Sequence, residues 1–382
     1  ACQSLQAVAC HGILAHATLP RWFALCPLHP ALTLSHELLA GCPEYTEELS
    51  ASSPTSGALA LAGILIALAG APVPEAYWKI LVGAFGSKLS ITETLTRATP
   101  LILTGLAAAV AFRARLWNIG GEGQFYLGAI ATAAVGAHLT AGLPGFVQMP
   151  ILMASGAVAG MILLLVPLWL RLRFSVDEVV TTLLLNFVAI LFVSMLIDTV
   201  LKDPMAFGWP QSEAVERAAR LPKLVDRSRL HIGLLVAIAF AFIVHFIQSR
   251  TTFGMRSRAA GLNPSGAIFA GVPLGRTLVL VAMLSGGLAG LAGSIEVLGV
   301  KGYVTTDLSP GYGYSGIVVA MLANLHPIGV VLAALFTAVM FVGADGMSRS
   351  LGIPTYIADV TVALSLISML VAVFFTQYRV RR

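Results

Sequence analysis

Charge is what this sequence lacks. Only 11% of its 382 residues are Asp, Glu, Lys or Arg, against about 25% in a soluble domain. A water-soluble globule of this length is therefore excluded. Cysteine is nearly absent too: Cys2, Cys10, Cys26 and Cys42 all precede residue 57. Cys26 and His29 have a ligand-like spacing, but no second compact pair follows, so a zinc site is not supported. The spans contain no HExxH, no GxSxG and no clustered metal ligands, which removes the usual hydrolase and metalloprotease machinery. "GGEGQF" has Tyr126 where a dinucleotide fingerprint needs glycine, and "GVPLGRT" is one residue short of a phosphate loop. The net charge of +5 carries no basic–aromatic stretch suited to nucleic acid.

What is present is apolar sequence, 57% of the chain, arranged in runs close to the length that crosses a bilayer. The fold class expected is all-α, polytopic and membrane-integral, with about ten spans in residues 57–382. They fall near 57–71, 91–112, 123–139, 148–170, 179–198, 230–248, 276–299, 313–326, 328–344 and 355–376. Residues 1–56 differ in composition and read as a disordered or non-native leader; a signal peptide is a poor fit there. The segment with Trp78 and Lys79 is expected to lie at the membrane interface. Two long polar loops stand out, at 199–229 and 249–277.

Basic residues orient the chain. Arg113, Arg115, Arg171, Arg173, Arg250, Arg256, Arg258, Arg276 and the tail arginines fall on one side of a ten-span layout. The opposite short loops hold Lys79, Lys88, Arg97, Lys301 and Arg349. The positive-inside rule makes the C-terminus cytoplasmic and the 199–229 loop extracytoplasmic. "NIGGEGQ" (118–124) and "SPGYGYSG" (309–316) each stand between a long helix and a following span, in opposite orientations, as in inverted-repeat transporters.

Three groups of residues are candidates for function. Asn118, Glu122 and Gln124 form a polar, glycine-rich break between spans. Such breaks are tolerated where they line protein or a water-filled path, so the group reads as a structural or gating element, as a substrate contact, or as an ordinary turn. Glu296 and Asp359 are acids within apolar helices, and either contact substrate or are solvated at the interface. The third group is the 249–277 loop, where a turn at "GLNPSG" precedes a short helix with Ile268 and Phe269 exposed beside a basic rim. An apolar projection of that kind needs a partner to bury it.

"RAAGLNPSGAIFAGV", "LWNIGGEGQFYLGA" and "GGLAGLAGSIEVLGV" together resemble the permease subunits of ABC importers. The likeness is to the ribose and branched-chain amino-acid branch, and within it to the simple-sugar and nucleoside subgroup. It covers about residues 57–382. The resemblance implies a bacterial inner-membrane subunit that is not itself an enzyme. It further implies a second permease subunit in a homo- or heterodimer, separate ATPase subunits holding ATP and Mg, and an extracytoplasmic binding lipoprotein. No cofactor is implied on this chain. The family's ATPase-coupling helix would map to Asn263–Val272, including Pro264, Ile268, Phe269 and Gly271, with Arg258 and Gly261 on its approach. The 199–229 loop would meet the binding protein through Lys202, Arg217, Arg220 and Lys223. Expected cargo is a nucleoside or simple sugar. A branched-chain amino-acid permease is the alternative, and a gradient-driven secondary transporter is a more distant one.

Overall fold

The computed structural model describes residues 72–140 and 142–352, with Gly63, Ala67 and scattered positions from Pro354 to Ile367. The leader at 1–56, nearly all of the span at 57–71 and the basic tail lie outside the described residues. The tenth expected span is described only in places, and Tyr356, Asp359, Val360 and Val362 in it are helical.

Eleven α-helices are defined among the described residues: α1 Val73–Phe85, α2 Lys88–Arg113, α3 Gly121–His138, α4 Gly145–Phe174, α5 Glu178–Asp198, α6 Gly233–Arg250, α7 Thr252–Leu262, α8 Pro264–Phe269, α9 Leu274–Glu296, α10 Tyr312–Leu322 and α11 Pro327–Leu351. A π-helical turn, Val297–Lys301, continues α9. Six helices are long and apolar enough to cross a membrane: α2, α4, α5, α6, α9 with its π turn, and α11. Pairing between strands is limited, among the described residues, to three isolated bridges in and around the 199–232 segment.

Local chemistry sets the helix ends. Ser87 caps α2 by accepting a hydrogen bond from the Ser90 amide at 3.0 Å, and Asp177 caps α5 through the Val179 amide at 2.8 Å. Pro327 opens α11, and Gly352, at φ +67°, closes it in the left-handed conformation that glycine adopts without strain.

The buried axis is α2 and α9; α4, α5 and α6 turn many apolar side chains outward, as lipid-facing helices do. The packing of α9 explains its "SGGLAGLAGS" sequence. A Cβ on Gly290 would run into the carbonyl of Gly156 on α4, and one on Gly128 of α3 would run into the carbonyl of Gly290. Three helix backbones thus approach along one glycine seam, which only residues without side chains permit.

Two helices start inside the bundle. After α2 ends, the chain folds back until Asn118 reaches Ser285, whose hydroxyl donates to the Ala107 carbonyl. Ala107 lies six residues short of the end of α2, roughly 9 Å inside it at helical rise. From the other direction, Thr104 of α2 donates to the Tyr312 carbonyl at 3.0 Å, which places the start of α10 deep beside α2. This re-entry makes α10 eleven residues long, shorter than the expected 313–326 span. The segment with Trp78 and Lys79 forms α1, packed on α11 through Ala76 and Ile80, with Trp78 left exposed. Gly83 faces Gly343 and Gly346 there, so small residues let the two helices close up.

Candidate functional site

The "NIGGEGQ" residues build a closed polar knot. Asn118 and Gln124 exchange amide hydrogen bonds, at 3.1 Å from the Asn118 amide to the Gln124 oxygen and 2.9 Å in return. The Asn118 oxygen also accepts from the Gly120 amide at 3.0 Å. Glu122, in the first turn of α3, accepts from the backbone amide of Gly313 in the first turn of α10 at 2.6 Å. Two helix N-termini therefore face one carboxylate, the charge that their partial positive ends favour. All three side chains are buried. Asn186 of α5, which the sequence reading did not single out, accepts from the Gly123 amide and donates to the Ile119 carbonyl, both at 2.8 Å. An asparagine inside an otherwise apolar helix was the available signal.

Glu296 and Asp359 are brought together elsewhere, in the wall of a cavity of about 810 Å³. Glu296 is the last residue of α9 and only 7% exposed, whereas Asp359 is exposed. The same wall carries Glu93 and Arg97 of α2, Arg229, Lys301, Tyr312, Tyr314, Phe341 and Asp345. Arg97 holds Asp345 at 2.6 Å and stands 3.8 Å from Glu93, which also has Arg229 at 3.8 Å. Lys301 donates to the Thr305 hydroxyl at 2.9 Å and lies 3.7 Å from the Asp307 carboxylate. Asp307, outside the helices, is held below its usual range chiefly by a hydrogen bond from Thr305, with Lys301 adding to it. From the sequence, Arg97 and Lys301 bear only on topology. For Arg97 the available signal is its pairing with Glu93, spaced i to i+4 at the start of a span.

Backbone hydrogen bonds tie the 199–232 segment to this wall. The Leu221 amide donates to the Leu298 carbonyl at 3.0 Å, Val215 to Gly302 at 2.8 Å and Ser212 to Val304 at 2.9 Å. The chain turns at Gly302, with φ +81°, just after the π turn that follows Glu296. Turns of this kind interrupt an α-helix and re-aim its end.

The third group lies at the other end of α2. Gly261 of α7 packs on the carbonyl of Arg113, where a Cβ would clash. Arg97 and Arg113 are sixteen positions apart on one helix, so the cavity and α7 are separated by roughly 24 Å. Asn263 caps α8 by accepting from the Gly266 amide at 3.0 Å, and Pro264 occupies its first turn. Ala267 is buried, while Ile268 and Phe269 project outward at 58% and 96% exposure. Gly271 turns the chain back at φ +79°. Arg258 is exposed on α7.

Residues 90–373 match the family described as "Branched-chain amino acid transport system / permease component". The chain is also 35% identical to the glucose ABC transporter permease protein TsgB13 of Haloferax volcanii, over 92% of this chain and 93% of that one. It is 34% identical to the guanosine ABC transporter permease protein NupP of Bacillus subtilis, over 80% of this chain and 88% of that one. Identity is likewise 34% to the nucleoside ABC transporter permease protein NupB of Lactococcus lactis subsp. cremoris, over 75% and 80% respectively. The motif resemblance, the buried apolar helices and these matches agree: the chain belongs to the family of ABC transporter permease components that includes the branched-chain amino-acid permeases.

Proposed function

We propose that this chain forms one half of the translocation path of an ATP-driven importer for a nucleoside or simple sugar. The observation that carries the reading is Phe269, 96% exposed at the tip of a short capped helix. A lone subunit gains nothing from presenting such a side chain to water. An ATPase subunit with a matching cleft would bury it, at a gain of roughly 1.5–3 kcal/mol. ATP and Mg would be held by that partner. Cavity and docking helix lie at opposite ends of α2, as a path loaded from one side and powered from the other requires.

The cargo is proposed from the relatives, whose names specify glucose, guanosine and nucleosides. Carboxylates and aromatic rings in the cavity wall suit hydroxyl-bearing ligands with a flat face. Branched-chain amino acids, which the family description names, are the second reading. A gradient-driven transporter is disfavoured by the docking helix. The remaining proposals complete the assembly. Ten spans in two inverted repeats place the C-terminus in the cytoplasm of a bacterial cell, a second permease subunit closes the path, and a binding lipoprotein meets the 199–229 loop, where Lys202, Arg217, Arg220 and Lys223 offer charge.

The test is Phe269→Asp. Membrane insertion and melting temperature stay as in the unsubstituted protein, while ATP-driven uptake falls at least tenfold and the ATPase no longer co-purifies. Uptake at the normal rate would show that this helix does not couple transport to ATP.

A further inference from the structure

We propose that the cavity beside Glu296 admits only uncharged, hydroxyl-bearing ligands, and that this subunit itself rejects their phosphorylated and carboxylate-bearing counterparts. The inference rests on the reading of the cavity as the translocation site and adds to it a selection made within the membrane.

The strongest anion ligands a protein offers in such a place are a free cationic side chain and unpaired amides at a helix N-terminus. Among the described residues both are engaged, Arg229 the most loosely, with its side chain 66% exposed. Arg97 is held between Asp345 and Glu93, Arg229 reaches Glu93, and Lys301 is engaged by Thr305 and Asp307. Among the described residues, α10 begins at the cavity, and its first amides are capped. The Ser309 hydroxyl accepts from Gly311 at 3.1 Å and from Tyr312 at 2.8 Å, and Glu122 takes the Gly313 amide.

The acids are not used up in the same way. Glu296 and Asp359 have no cationic partner within 4.0 Å among the described residues. The described wall holds four acids (Glu93, Glu296, Asp345, Asp359) against three bases (Arg97, Arg229, Lys301), so acids outnumber bases there. Ionised carboxylates only accept hydrogen bonds, so they welcome hydroxyl and amine donors. A phosphate monoester brings a further charge of about −1.5 to −2 to a wall whose described cations are already engaged. The carboxylate of an amino acid meets the same obstacle. Tyr312 and Phe341 give a neutral ligand apolar surface to lie against.

The full chain in nanodiscs, without any binding protein, can be tested by saturation-transfer NMR with adenosine and AMP, and with glucose and glucose 6-phosphate. One neutral ligand is expected to receive saturation, at least tenfold more than its phosphorylated form. Asp345→Asn frees Arg97, and Glu93→Gln loosens both Arg97 and Arg229, so either variant should raise the phosphate's relative signal at least threefold. Glu93→Gln alone carries the test if Asp345→Asn does not fold. Equal saturation of both forms, or no gain in the variants, overturns the inference while leaving the transport reading in place. Saturation of neither adenosine nor glucose removes the cargo reading on which it rests.

Discussion

Two sets of polar side chains are embedded among the apolar helices, and they are built in opposite ways. Around the start of α3, Asn118, Gln124 and Glu122 are paired with one another, with Ser285 and with the α10 backbone. In the cavity wall, Glu296 and Asp359 face open space with no hydrogen-bond or ionic partner among the described residues. Polarity inside a membrane protein does not by itself mark a ligand contact. The separating property is satisfaction: a closed set holds the backbone, and an open set waits for donors from outside.

That contrast gives four graded expectations. The largest effect lies at the packing that supports both sets. Gly290→Val places two methyl groups on the backbone of α4, costing more than about 3 kcal/mol, and no monodisperse protein should elute in gel filtration. A well-folded Gly290→Val protein would mean that the three-helix seam is looser than described. Next comes Glu122→Ala, which leaves the buried Gly313 amide unpaired at about 1–3 kcal/mol. Its melting temperature should fall, with Glu122→Gln, which keeps an acceptor, falling less. Substrate KM should stay the same in both, and a raised KM without loss of stability would move Glu122 into the ligand-facing set.

Glu296→Gln is the reverse case. It replaces a buried carboxyl that has no partner by an uncharged amide, so stability is kept, while transport KM rises about tenfold through loss of a strong hydrogen-bond acceptor. Unchanged kinetics would leave Glu296 a wall residue without a ligand contact. The smallest effect is expected at Asp359→Asn. This carboxylate is exposed, and an exposed charge contributes under about 1 kcal/mol, or a two- to threefold change in KM. A larger change there than at Glu296 would reverse the ranking by burial.

Much of the helical layout was readable in the residues. α2, α4, α5, α6 and α9 fall within a few positions of the expected spans, because long apolar runs bounded by arginine, glycine and proline leave little choice, while α11 runs seven residues past its expected end. Depth was not readable. A hydropathy window treats "NIGGEGQ" and "SPGYGYSG" as loops between spans, whereas both enter the bundle and touch, Gly121 lying against Gly313. The Asn263 cap and the exposed Phe269 could be anticipated because a capped six-residue helix is a local object. The cavity wall could not: Glu93, Arg97, Glu296, Asp345 and Asp359 are far apart in sequence, and only the assembled helices show which charges are neutralised.

The meeting of α3 and α10 has a kinematic consequence. Sliding one short helix past the other would strip a buried carboxylate of its amide and pull both helix ends away from the charge that they favour. Neither can act as an independent piston. Whatever opens the path must carry the two as a single lever, so the hinges have to be sought where the contacts are looser, at the ends of the pair rather than between its members.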